Sequence, residues 1–353
     1  MTTARFEYLD IAKGFGILAV VWAHIMLTGI THEICYAFHM PLFFLISGML
    51  FKREKFVSFL DFVKHRGKRL FVPYVLYSVF TWMIWALFRF VRGDVVDSYW
   101  MPLLQTVIAQ GSGAFMVHNS ALWFIPCLFA VDIMWFFIGK LKDGWAVLIS
   151  FILCGTSFLL GELFGNNWWF LLPWNFDAAL IALPFYGVGN VLARRLPQNK
   201  ILQYVGDHKG VVMLLWAVLT ALLMLGTIRF GVCSMGASSY NCSGWIFVLR
   251  AFCGCASMLC FSLLLDTAGE TVGLYQKIMD GFKWMGRNSL DVMCTHIPIK
   301  GVFVIIVGVL FNVGASVIPY SLPLSCVVFA ATLMAVVIVV HLVNLVFRRK
   351  SLR

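Results

Sequence analysis

The 353-residue chain is 61% hydrophobic, only 12% charged, and carries a formal net charge of +11. Soluble domains hold about twice that charge fraction, so a water-soluble globular fold is excluded and a membrane protein of many spans is expected. The positive balance would suggest nucleic acid in a soluble domain; here it belongs to loops beside a bilayer, and no nucleic-acid partner is expected.

Ten hydrophobic segments follow in chain order, roughly Leu9–Thr28, Tyr36–Phe51, Leu70–Phe88, Ala121–Ile138, Gly144–Leu163, Phe176–Ala193, Val211–Ile228, Trp245–Leu265, Leu290–Val313 and Leu322–Phe347. The second is short for a full span, and Pro41 within it can open the backbone. The ninth is interrupted by His296 and Pro298. Glu7 and Asp10 interrupt the start of the first, and no small-residue cleavage site follows it, so it reads as a retained span. The predicted fold is all-α, a polytopic bundle of about ten transmembrane helices forming a single domain over residues 1–353.

Basic residues set the orientation. With the N-terminus inside, cytoplasmic loops receive Lys52, Arg53, Lys55, Lys64, Arg66, Lys68 and Arg69, then Lys140 and Lys142. Arg194, Arg195, Lys200, Lys209, Lys277, Lys283 and Arg287 follow, with Arg348, Arg349, Lys350 and Arg353 in the tail and Arg5 before the first span. Outer connections receive only Arg89, Arg92 and Arg229. This asymmetry predicts both termini in the cytoplasm.

Within that frame, the first span holds two ionisable groups where lipid tolerates few. Eleven residues separate Lys13 from His24, about three turns, so both lie on one helix face about 16 Å apart along the axis. Lys13 lies near the inner face and His24 in the outer half; a pathway-lining role competes with a snorkelling lysine and a helix-bonded histidine. The second span runs back inward, which brings His39 towards His24. At the start of the third, Arg66, Lys68 and Arg69 read equally as a phosphate site or as ordinary inner-loop charge. Outside, His118 and Asn119 precede the fourth span, while Asn175 and Asp177 open the sixth. Trp123, Trp168, Trp169 and Trp174 offer stacking faces there, although aromatic residues also belong at membrane interfaces. His296 and Lys300 share a face of the ninth span. The ten cysteines lack metal-ligand spacing, and no metal site is expected; Cys233 and Cys242 share one outer loop and are candidates for a bridge.

Several of these stretches together resemble the membrane-bound acyltransferase family 3. LDIAKG and the Lys13-to-His24 spacing resemble its first-span hallmark, a basic residue and, after ten positions, a histidine. FHMPLFFLISGMLF, RGKRLFVPY and LWFIPCLF resemble its second, third and fourth spans, and MGRNSLDVMCTHIPI its late asparagine-serine to histidine segment. The matches run in order from Arg5 to about Lys300. The resemblance implies transfer of an acyl group, most often acetyl, from cytoplasmic acyl-coenzyme A, with acetyl-CoA the expected donor. The implied acceptor is a hydroxyl of an envelope glycan or lipid-linked sugar, and the implied location a bacterial inner membrane, crossed many times and in contact with its lipids. His24 and Lys13 are then the expected catalytic pair, and Arg66, Lys68 and Arg69 the expected coenzyme-binding cations. His39, His118, Asn119, Asp177 and His296 are expected to face the acceptor. A transporter or exporter of a glycan is the competing reading, since it too places charge in a polytopic core.

Overall fold

The computed structural model describes residues 6–111, 115–164, 172–237, 239–268 and 273–348; Arg5, Trp168, Trp169, Arg349, Lys350 and Arg353 lie outside them. The described chain runs α1 (Glu7–Ile25), α2 (Ile30–Leu50), α3 (Phe59–Arg92), α4 (Met101–Ile108), α5 (Phe124–Ile138), α6 (Asp143–Phe164) and α7 (Phe176–Arg195). It continues through α8 (Gln198–Asp207), α9 (Lys209–Phe230), the paired two-residue strands β1 (Cys233–Ser234) and β2 (Ser239–Tyr240), α10 (Gly244–Asp266), α11 (Leu274–Arg287), α12 (Ser289–Leu310) and α13 (Leu322–Arg348). Among the described residues, ten helices are long and apolar enough to cross a membrane: α1, α2, α3, α5 with its preceding turn, α6, α7, α9, α10, α12 and α13. They coincide with the ten hydrophobic segments. The protein is a multi-pass helical membrane protein.

Two expectations about the spans need correction. The second is not short, because ITHEIC extends the helix backwards to Ile30, and α2 runs unbroken through Pro41. Likewise α12 continues through His296 and Pro298. A proline removes one N–H and orphans the carbonyl four residues earlier, and in a membrane that carbonyl needs another donor. For Pro298 the orphan is Cys294, and the Asn119 side-chain amide donates to its oxygen at 2.7 Å. Helix continuity there depends on a side chain from a distant loop, which a local reading of the span does not contain.

Ends are set by local chemistry. Ser58 caps α3 by accepting from the Asp61 N–H at 3.1 Å, while the Asp61 carboxylate accepts from Val57 N–H at 3.2 Å. The helix stops at Gly93, whose left-handed backbone (φ +67°) turns the chain away.

Four spans, α1, α2, α5 and α7, bury most of their surface within the protein, and the others pack around them. Small residues bring these central helices together. Gly48 of α2 lies against α7 so closely that a Cβ would sit 2.0 Å from the Tyr186 carbonyl oxygen, and one on Gly189 would sit 2.1 Å from that of Leu45. Gly14 of α1 and Gly286 of α11 make a second such crossing, against the backbone oxygens of Phe282 and Asp10. A backbone oxygen cannot swing aside, so Gly48→Ala is expected to destabilise by about 1–3 kcal/mol. Gly206→Ala, where nothing lies within 4 Å, is the control and should be neutral or mildly stabilising. Thermal unfolding of both variants in detergent micelles checks this.

Candidate active site

His24 stands one residue from the end of α1, where helix carbonyls have run out of intrahelical donors. Groups from two other helices satisfy them. Lys300 Nζ of α12 donates to the His24 carbonyl oxygen at 3.2 Å, and His32 Nδ1 of α2 to those of Ala23 and Met26 at 3.1 and 2.6 Å. The end of α1 is thus fixed by a lysine and a second histidine, which fixes the backbone of His24.

The ring follows the same logic. His24 Nδ1 is 2.9 Å from the Val20 carbonyl oxygen. A carbonyl only accepts, so Nδ1 carries the proton and Nε2 keeps its lone pair. His39 and His296 have the same tautomer, their Nδ1 atoms bonded to the carbonyls of Cys35 and of Val292 and Met293. The His296 ring stands edge-to-face on His24, centroids 5.1 Å apart, and its buried Nε2 has no hydrogen-bond partner among the described residues. Tyr36 lies between His24 and His39, 6.5 Å from one ring and 5.2 Å from the other.

His24, Tyr36 and His39 open into a cavity of about 250 Å³, whose far wall is Gly111, Ser120, Trp123 and the 234–237 segment. That wall is built by Asn175. Its side-chain oxygen accepts from Gly111 N–H at 2.6 Å, and its amide donates to the Gly236 carbonyl at 2.7 Å. Both glycines press on the Trp123 indole, where a Cβ on either would come within 2.8 Å of a ring atom. Trp174 and Asn175 both adopt left-handed backbone (φ +65° and +46°) to make this connection, and Trp174 N–H donates to the Ile108 carbonyl at 2.6 Å. Such conformations are uncommon outside glycine, and asparagine tolerates them best.

At the cation-rich end the arrangement differs. Lys13 Nζ contacts Asp10 at 2.8 Å, and Arg287 reaches the other oxygen of Asp10 at 3.2 Å, delivered by the Gly14–Gly286 crossing. Arg66 is committed inward: Nε and Nη2 donate to the two oxygens of Asp132 at 2.7 and 3.0 Å, a bidentate pair, while the Tyr186 hydroxyl donates to Asp132 at 2.6 Å. Lys68 and Arg69 are exposed.

The structure therefore gathers His24 and His39 at one cavity and sets His296 against His24. Asn119 is tied to the backbone of α12 two residues before His296. His118 and Asp177 are buried and do not line that cavity. Among the described residues His118 makes no hydrogen bond through either ring nitrogen, and burial pushes its pKa down to about 4, so it is neutral at pH 7. Trp123 is part of the wall, whereas Trp174 packs on Phe71 and bonds the Val107 carbonyl. Sequence reasoning missed Asp132 and Tyr186 altogether, and gave Arg287 no role beyond loop charge. No group of three or more His, Cys, Asp or Glu side chains suited to a metal occurs among the described residues.

Cys233 and Cys242 lie beside the 234–237 wall, Sγ atoms 3.5 Å apart. Closing to a bond of about 2.05 Å needs only a small shift of the side chains. In protein isolated from a thiol-oxidising compartment, peptide mass mapping without reductant is expected to find them linked. Free thiols at both positions would refute the bridge.

Comparison with known proteins gives one family: a model described as an acyltransferase domain matches residues 6–342. No curated protein and no solved structure matches the chain.

Proposed function

The chain belongs to this acyltransferase family, and from that membership we propose that it moves an acyl group, acetyl in the first instance, from cytoplasmic acyl-coenzyme A to a hydroxyl of an envelope glycan or lipid-linked sugar. The whole chain then acts as one domain in a bacterial inner membrane, with both termini in the cytoplasm.

The observation that carries the reading is the His24 tautomer in a cavity. With the proton held on Nδ1 by Val20, Nε2 is the basic atom. It takes the proton of the acceptor hydroxyl as that oxygen forms its bond to the thioester carbon. The carbon–sulfur bond then breaks, and the imidazolium returns its proton to the departing thiolate, so His24 ends unchanged. His39 and Tyr36 present polar atoms from the same wall and suit a hydroxyl-rich ring. His296 backs the His24 ring, and Asn119 holds α12 at that level. His118 and Asp177, buried outside the cavity lining, have no part in this step.

The donor arrives from the opposite end. Lys68 and Arg69 are exposed cations in the third turn of α3 that suit its phosphates, with Arg66 beside them anchoring α3 to Asp132. Lys13, held by Asp10 at the cation-rich end of the His24 stripe, suits the polar arm that links phosphates to thioester. The test is thiol release from acetyl-CoA by purified protein in nanodiscs, with and without an envelope glycan extract. Release that depends on the extract is expected. Its absence, with intact protein, argues against acyl transfer.

A further inference from the structure

A second cavity, of about 280 Å³, lies at the cation-rich end and plays no part in the chemistry above. Its position follows from the α2–α7 crossing. Because Gly48 and Gly189 let the two backbones touch, the chain leaving α2 emerges beside the last turn of α7. Asn190 fixes that exit, its amide donating at 3.0 Å to the carbonyls of both Gly48 and Phe51. Lys52 and Arg53 consequently face Arg194 across the cavity, with Trp135 and Gly139 behind.

Three cations and one acid, Glu54, line this space. Arg53 stacks on Phe136 at 4.7 Å, which holds the guanidinium plane while leaving its edge donors available. Arg194 spends one nitrogen on Asp143 at 2.9 Å and retains others. The most telling group is Trp135. It is fully buried, and its indole N–H has no hydrogen-bond partner among the described residues. That nitrogen lies beside Gly139, where an added Cβ would come within 3.0 Å of it, and both residues belong to the cavity lining. An indole N–H can only donate, and a buried donor left unpaired costs about 1–3 kcal/mol, so the site calls for an acceptor.

We propose that this cavity binds a phosphate group through Lys52, Arg53, Arg194 and the Trp135 indole N–H. Two sources share that chemistry: the nucleotide end of a coenzyme and the headgroup of an anionic phospholipid. The site goes beyond the donor-binding role given to Lys68 and Arg69, and only its first source rests on the acyl-coenzyme A reading.

The test uses purified full-length protein in phosphatidylcholine nanodiscs, titrated with coenzyme A at low salt, and in phosphatidylglycerol nanodiscs, from which native mass spectrometry counts retained lipids. The variants are Lys52→Gln with Arg53→Gln, and separately Trp135→Phe, which keeps an aromatic side chain and removes the N–H donor with the pyrrole ring that carries it. Lys55→Gln with Lys64→Gln removes the same charge at two nearby residues that do not line the cavity and is the control. A loss of coenzyme affinity of about tenfold or more in the first variant, smaller in Trp135→Phe and absent in the control, assigns the site to the coenzyme. Unchanged or undetectable coenzyme binding, with phosphatidylglycerol retention lost in the first variant only, assigns it to a lipid headgroup. In that second case, failure of the wild type to bind coenzyme counts against the proposed donor and leaves the phosphate site standing. If neither ligand distinguishes the cavity variants from the control, the site is overturned.

Discussion

Replacement of His24 by alanine is expected to lower acyl transfer by about 10²–10⁴-fold while leaving the protein folded, since that is the usual contribution of a general base. The fold should survive because the capping of α1 uses the carbonyl of His24, which alanine retains, and not its ring. His24→Gln is the sharper variant: it is close in size and polar, yet it has no basic nitrogen. It should be as inactive as alanine. The comparison with His296→Gln separates direct from supporting roles. His296 touches the His24 ring from behind, so its loss should lower turnover less, with the acceptor KM little changed. Turnover in folded His24→Gln within a few-fold of wild type would remove the base from this residue.

The largest loss of stability is expected from Asp132→Ala. Asp132 is fully buried in α5 and answers two donors, the Arg66 guanidinium and the Tyr186 hydroxyl. Removing it leaves a largely buried cation without its partner, which typically costs about 3–5 kcal/mol. Replacing the whole network, as Arg66→Met with Asp132→Leu and Tyr186→Phe, removes every polar group at once and should recover much of that loss. Thermal unfolding in detergent micelles reads both. If Asp132→Ala unfolds with wild type, the triad contributes only orientation.

The ten spans were legible because bilayer thickness demands long apolar runs, and composition alone reveals them. The reach of α2 back to Ile30 was not, since Thr31, His32 and Glu33 dilute hydropathy, yet His32 spends its ring on the end of α1. The spacing of Lys13 and His24 was legible as a shared face. What the sequence did not contain was tertiary partnership. Arg66 reads as a free inner-mouth cation beside Lys68 and Arg69, and only the structure shows its fork closed on Asp132. A signal existed, because an aspartate in FIPCLFAVDIMWFFI is an acid inside an apolar span and demands a partner. Asn119 reads as a loop residue near a ligand, whereas its amide answers the carbonyl that Pro298 orphans. The cavity wall of Gly111, Trp123 and Gly236 joins segments more than 100 residues apart through Asn175, and no local pattern announces it.

The central claim, acyl transfer to an envelope hydroxyl at His24, is tested most directly by mass spectrometry of envelope glycans from three cell lines. One carries the wild-type protein, one lacks it, and one carries His24→Gln at a matched membrane level. The account predicts an added acyl group, one acetyl per modified sugar, in the first line and its absence from the other two. Identical glycans in all three, or acylation that persists with His24→Gln, would contradict it.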